Sequence, residues 1–293
     1  MTCDLPAFDR TPDDIGLAAQ AACLLEVSAP KPGNVGRSTG FADARFEDFL
    51  LSALAIGPAM RQASHDCVGQ IIWNAVSATR RLVHTNTNLG TVLLMAPLAR
   101  AMMKVGELRA NLARVLAELT VEDARLAYLA IRLAGAGGLG RVSDADVGDE
   151  PAITLRDAMA LAEDRDTIAR EYATDFAVTF DLALPALEEA CRLAGDITPA
   201  MVQAYLVVLA NVPDTLIARK LGRAAAERVS REAALVLQAG GALTDAGRQA
   251  LASFDRSLRD DRHLLNPGTT ADIMAAATFI HLLGPQATGR GKE

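Results

Sequence analysis

Glu26-Val27-Ser28-Ala29-Pro30-Lys31-Pro32-Gly33-Asn34 ends one helix and prevents another from starting. Upstream, Thr11-Pro12 reads as a helix start, with the helix under way by Asp13. Ile15, Ala19, Ala22 and Glu26 fall at offsets of four, seven and eleven residues, so they share one face. That face is apolar until Glu26, which puts a carboxylate on a stripe expected to be buried. A buried carboxylate must be paired or ligated, or its pKa rises. Pro30 and Pro32 fix their own φ and disfavour helix at Ala29 and Lys31. Gly33 lets the chain turn or approach a ligand closely. Lys31 and Asn34 can then face the same cavity as Glu26. The plainer alternative is a helix end with a snorkelling Glu and a solvated Lys.

The chain has 293 residues, 51% of them hydrophobic, so it can bury a large core and is not a disordered sequence. No apolar run reaches the roughly 18 residues of a membrane span, and the first residues show no basic-then-apolar leader pattern. Cys3, Cys23, Cys67 and Cys191 are scattered without CxxC spacing, which fits a reduced, cytoplasmic protein. A net charge of −7 argues against general nucleic-acid binding, yet a few local cations or Mg²⁺ could still hold phosphates.

Alanine and leucine dominate, helical spacing recurs, and strand alternation is almost absent. The expectation is an all-α fold, a single domain over 1–293, with roughly a dozen helices in one bundle. Phe46 to Met60 reads as a helix that breaks or ends near Gly57-Pro58. Val68 to Val83 reads as another, with Ile71, Ala75, Ala78 and Leu82 on one face. Thr91 to Met103 is apolar nearly all round, as a central helix should be. Asn111 or Thr120 could cap the next helices, and Val121 to Ala134 closes at Gly135. Thr154 with Asp157 forms a capping-box signature for one helix over Leu155 to Tyr172. That pattern can continue past Phe176 and Phe180 to Gly195. Thr198-Pro199 reads as a cap with Pro in the first turn. Thr270 is expected to cap a last helix ending at Leu283.

Gly135-Ala136-Gly137-Gly138-Leu139-Gly140 matches GxGxxG, but it follows a helix and opens none, so it is not a dinucleotide fingerprint. His65, His84, His263 and His281 lack metal-ligand spacing, and no HExxH or GxSxG occurs. Polar helix breaks carry more information. Asn86-Thr87-Asn88-Leu89-Gly90 places amides and a hydroxyl where ribose, phosphate or a base could be bound, although on pattern alone a cap with an Asx turn is the favoured explanation. Asp214-Thr215 with Arg219 and Lys220 could hold Mg²⁺ through Asp214 and phosphate through the two cations, or Asp214 could simply cap the resumed helix. Asn266-Pro267-Gly268-Thr269-Thr270-Ala271-Asp272 is a fourth polar entry to an apolar helix. Four such breaks gathered at one end of a bundle would make a polyanion site.

Together, Glu26 with Ala29 to Asn34, Asn86 to Gly90, Asp214 to Gly222 and Asn266 to Asp272 resemble the triphosphoribosyl-dephospho-CoA synthase family. The resemblance implies an all-α enzyme that moves a 5-triphosphoribosyl group from ATP to the 2′-hydroxyl of 3′-dephospho-CoA and releases adenine. It implies Glu26 and Asp214 as catalytic candidates, Asp214 holding Mg²⁺. It further implies Lys31, Arg219 and Lys220 on the triphosphate, and Asn34, Asn88 and Asn266 on sugar or base. Asn86, Thr87, Thr215 and Asp272 complete the expected substrate contacts. The chain departs from the family pattern at Asn88 and Leu89, where members acting on dephospho-CoA carry His and Lys. It also lacks their central Arg-Gly-Glu-Ala segment. It therefore looks closer to a divergent branch found beside one-carbon (tetrahydromethanopterin or methanofuran) cofactor pathways, with a different donor or acceptor. A non-catalytic nucleotide-binding protein is a third expectation. Small nucleotides are the expected partners, with no nucleic acid and no membrane. A homodimer is left open, since apolar helical chains often pair.

Overall fold

Thr11 starts the first helix, its hydroxyl accepting the Asp14 N–H at 3.2 Å, while Pro12 occupies the first turn, where a missing N–H costs nothing. The computed structural model describes residues 3, 8–41, 43–135, 146–260 and 262–284. Helix α1 (Pro12–Ser28) buries Ile15, Ala19 and Ala22 completely, as the spacing predicts. Helix α2 (Phe46–Met60) does not end at Gly57-Pro58 but runs through it. Pro58 offers no N–H to the Leu54 carbonyl, and Gln20 Nε2 of α1 donates to that carbonyl instead, at 2.7 Å. Where α1 crosses α2 the backbones nearly touch: a Cβ on Gly16 would lie 2.8 Å from the Gly57 carbonyl oxygen.

Helix α3 (Val68–Leu82) buries Ile71 and Ala75, but its inner face continues through Ile72, Val76 and Thr79. Leu82, expected on that face, is 51% exposed. Helix α4 (Leu89–Met102) is buried nearly all round. Its interior Pro97 frees the Leu93 carbonyl, which accepts from the Tyr172 hydroxyl at 2.6 Å. Helix α5 (Leu108–Ala117) is capped by Glu107; Asn111 lies inside it, fully buried, donating to the Lys104 carbonyl at 2.9 Å. Helix α6 (Val121–Ala134) has the Thr120–Asp123 capping box and ends on Gly135 at φ 65°. The rest of the glycine run falls outside the described residues.

The helix expected over Leu155 to Tyr172 is two: α7 (Leu155–Ala160) and α8 (Thr167–Ala173). Asp166 separates them by accepting the Ile168 and Ala169 N–H groups at 2.8 and 3.3 Å. A π turn over Thr179–Ala183 leads into α9 (Leu184–Ala194), closed by Gly195 at φ 66°. Helix α10 (Ile197–Asn211) is capped by Asp196, two residues before the expected Thr198. Then come α11 (Thr215–Leu221), α12 (Arg223–Gln238) after the break at Gly222, α13 (Asp245–Leu258), and α14 (Gly268–Leu283). Helix α13 has no counterpart in the sequence reading.

The described residues thus form fourteen α-helices, and their one β feature is an isolated bridge between Gly36 and Thr39. The all-α expectation is met. Apolar α14 sits at the centre, packed by α1, α4, α9 and α10, and one continuous core runs from Ile15 to Leu283. Each fully buried Leu, Ile or Phe there is worth about 1.5–3 kcal/mol of transfer free energy before the entropy of ordering is subtracted. No single described helix is long and apolar enough to cross a membrane; α10 and α11 would qualify only if joined across a 53° bend.

Candidate active site

Four helix breaks and one unforeseen one enclose a cavity of about 470 Å³. That is within the range of about 300–1,000 Å³ typical of small-molecule sites. Its wall includes Glu26, Lys31 and Asn34 from the end of α1 and Asn86, Thr87 and Asn88 before α4. Arg219 comes from α11, and Asn266 and Asp272 from the start of α14. Nine of the twelve sequence candidates therefore meet at one site.

Below the first break, the backbone is held rigidly. Gly33 is at φ 75°, and a Cβ there would press on Leu258 and Pro267 at 3.0 Å. Its N–H donates to Asp255 Oδ1 at 2.8 Å, and Arg259 donates to the Asn34 carbonyl at 3.2 Å. Tyr205, buried in α10, donates its hydroxyl proton to the Pro32 carbonyl at 3.1 Å and accepts from Asn34 Nδ2 at 2.6 Å. With that amide nitrogen engaged, Asn34 has its Oδ1 as the acceptor for a ligand.

Lys31 is 2% exposed and points back at its own helix. Nζ donates to the Glu26 carbonyl, to the Ala29 carbonyl at 3.2 Å, and to Glu26 Oε1 at 3.0 Å. Its three protons thus cap the C-terminus of α1, where the helix dipole favours a cation, and fix the Glu26 carboxylate at the wall. The ammonium expected on a triphosphate instead orients the acid.

The α4 entry has no side-chain cap of its own from Asn88. Asn86 Oδ1 accepts the Leu89 N–H at 3.2 Å, and Thr87 bonds Ser52 through its hydroxyl. Asn88 Nδ2 turns inward to Thr79 Oγ1 at 3.1 Å. Asp272 supplies what α4 lacks: its Oδ1 accepts the Thr91 hydroxyl at 2.7 Å, with a further bond from the Thr91 N–H. Gly90 makes room for this, because a Cβ there would overlap Asp272 Oδ2. Burial first, then the neighbouring charges of Glu26 and Asp214, push the Asp272 carboxyl up to about 7 against the pull of Thr91.

Asp214, Thr215 and Lys220 do not line the cavity. Asp214 is 1% exposed and lies beneath the wall. Its Oδ1 caps α11 through the Leu216 and Ile217 N–H groups at 2.9 and 3.2 Å. Its Oδ2 caps α14 through the Thr270 N–H and hydroxyl at 2.7 and 2.8 Å. Thr270 is therefore a donor to a cap from another element, not the cap itself. With all four bonds made, Asp214 offers no oxygen to a metal, and burial raises its carboxyl above the ordinary range. No group of three or more His, Cys, Asp or Glu side chains converges among the described residues. The Mg²⁺ expected at Asp214 does not fit there. Thr215 bridges α8 and α14, accepting the Thr167 N–H at 3.2 Å and donating to Thr269 Oγ1 at 3.3 Å. Lys220 is exposed and donates to the His263 carbonyl at 3.0 Å.

Arg219 reaches the wall and donates to Asp166 Oδ2 at 2.8 Å, while its Nε is buried without a partner. Asp166 and Arg165 also line the cavity and were not foreseen. They sit in Glu163-Asp164-Arg165-Asp166, which reads as solvated helix; the signal available was Asp166-Thr167, an acidic cap before an apolar run. Asn266 Oδ1 is likewise buried with no partner. Phe41, Phe49, Tyr128, Leu155 and Met159 give the cavity an apolar and aromatic side.

Carboxylates, amides and arginine around an apolar recess, gathered at the breaks of an all-helical fold, define an enzyme site for a small polar molecule. The profile of the ATP:dephospho-CoA triphosphoribosyl transferase family matches residues 12–290. This chain belongs to that family and is a transferase. A Stutzerimonas stutzeri protein named "Probable 2-(5''-triphosphoribosyl)-3'-dephosphocoenzyme-A synthase" is 26% identical over 93% of this chain and 92% of its own length. A Klebsiella pneumoniae 2-(5''-triphosphoribosyl)-3'-dephosphocoenzyme-A synthase is 36% identical over 33% of this chain and 32% of its own. A crystal structure from Archaeoglobus fulgidus, provisionally named a triphosphoribosyl-dephospho-CoA synthase, superposes with a TM-score of 0.62 at 26% identity. It covers 80% of this chain and 97% of that one.

Proposed function

We propose that the enzyme transfers the 5-triphosphoribosyl group of ATP to the 2′-hydroxyl of 3′-dephospho-CoA and releases adenine. The observation that carries this reading is the Glu26–Lys31 pair at the wall of a cavity that also presents Arg219. Breaking the ribosyl C–N bond builds positive charge on the sugar ring. Glu26, fixed by Lys31, stabilises that charge. Arg219, with Arg165 at the rim, neutralises the triphosphate. Asn34 and Asn266 orient ribose or base through their free carbonyl oxygens. No step is routed through a metal. Incubating the purified protein with ATP and 3′-dephospho-CoA and following adenine by chromatography tests this: release that depends on dephospho-CoA supports it.

One observation favours a second reading. Asn88, where dephospho-CoA synthases carry His, is turned into the α2–α3 packing instead of offering a cation or base. An acceptor from one-carbon cofactor biosynthesis would then replace dephospho-CoA, with the donor half of the site unchanged. Adenine release without dependence on dephospho-CoA supports this second reading.

A further inference from the structure

We propose that Asp272 is the proton acceptor of the transfer, taking the proton of the attacking hydroxyl as that oxygen bonds to the ribosyl C1′. This role rests on the transferase reading and deepens it. The acceptor O–H breaks, its proton goes to Asp272, and the oxygen pair forms the bond to C1′. The C1′–N bond breaks with its pair on the purine, which gains a proton from solvent as adenine. Asp272 returns its proton to solvent between turnovers.

The argument comes from how the acids around the cavity differ. Glu26 is paired with Lys31, and Asp166 with Arg219. Asp214 lies under the wall with four hydrogen bonds. Asp272 lines the wall, and no Lys or Arg pairs with it among the described residues. Oδ1 is held by Thr91, and Oδ2 comes close against the backbone of Gly90, where a Cβ would lie only 2.1 Å from it. The groups facing it are Glu26 and Cys23 from α1, Thr91 from α4, and Asp214 from the α10–α11 junction, none of them cationic. Burial and those neighbours bring its carboxyl to about 7, close to the operating pH that suits a general base. The competing role is structural, a cap for α4 that never meets substrate.

The experiment is adenine formation from ATP and 3′-dephospho-CoA as a function of pH, with ATP affinity measured in parallel by calorimetry. Asp272→Asn keeps the shape and the Thr91 contact. It is expected to lower kcat by about 10²–10⁴-fold and to abolish the acid limb near pH 7, with ATP affinity nearly unchanged. Thr91→Val keeps the carboxylate but removes a bond that favours its charged form, so the acid limb moves up by about one pH unit. Near-wild-type kcat in Asp272→Asn, or an acid limb that stays in place in either variant, overturns the proposal. A wild-type protein that binds ATP but never releases adenine overturns the transferase reading itself, and this role with it.

Discussion

At the scale of single residues, the Glu26–Lys31 pair shows how a loop with two prolines fixes a carboxylate at a cavity wall. Pro30 and Pro32 stop α1, and Lys31 folds back over its last carbonyls. Glu26 is thereby set at the wall instead of swinging into solvent. Glu26→Gln keeps an oxygen for Lys31 and loses the charge. It is expected to cut adenine release by about 100-fold or more, while the melting temperature moves by only a few degrees. Unchanged activity with lowered stability would make Glu26 a structural residue. The glutamate was legible because it fell on an apolar stripe. The direction of Lys31 was not, since a sequence pattern cannot say whether an ammonium faces a ligand or its own helix end.

At the scale of elements, the breaks between helices make the site, and they were read well mainly where proline, glycine or a capping threonine marked them. Gly135 and Gly195 end helices as expected because a left-handed residue satisfies the last carbonyls. The break at Asp166 was missed because nothing in Met159-Ala160-Leu161-Ala162 forbids helix. It forms when the Asp166 carboxylate captures two N–H groups and is itself held by Arg219 from α11. The reverse error occurred at Pro58, where a donor from α1 lets the helix continue. Asp214 belongs at this scale, since one buried carboxylate caps both α11 and α14. Asp214→Ala is expected to cost about 2–4 kcal/mol, read as a lower urea midpoint with unchanged slope. Loss of activity with full stability would instead return Asp214 to the chemistry.

At the scale of the molecule, burial of acids couples stability to pH. Asp272 is raised to about 7, and burial also raises Asp214 and Glu171, the latter fully buried against the Val178 and Thr179 N–H groups. Each folded-state pKa lies above its unfolded value of about 4, so the folded protein binds more protons in between. Their contribution is fully present below about pH 4 and is lost as pH rises; for Asp272 the loss is complete just above pH 7, at up to about 1.4 kcal/mol per pH unit. Denaturant titrations from pH 4 to 8 should show stability falling over that window, and Asp272→Asn should flatten the fall. A stability that climbs steadily over the same range would contradict this.

The all-helical architecture was legible because periodicity and alanine content are local properties. The gathering of distant breaks around one cavity was anticipated only through the repetition of one pattern at Lys31, Asn88, Asp214 and Asp272. What the account claims for that cavity is a transfer that expels a purine. The most direct measurement is free adenine, by chromatography, after incubation of the purified protein with ATP in the presence and absence of 3′-dephospho-CoA. The account predicts adenine in step with consumed dephospho-CoA and none without it. A folded protein that binds ATP yet yields no adenine with dephospho-CoA or any other hydroxyl acceptor would contradict it.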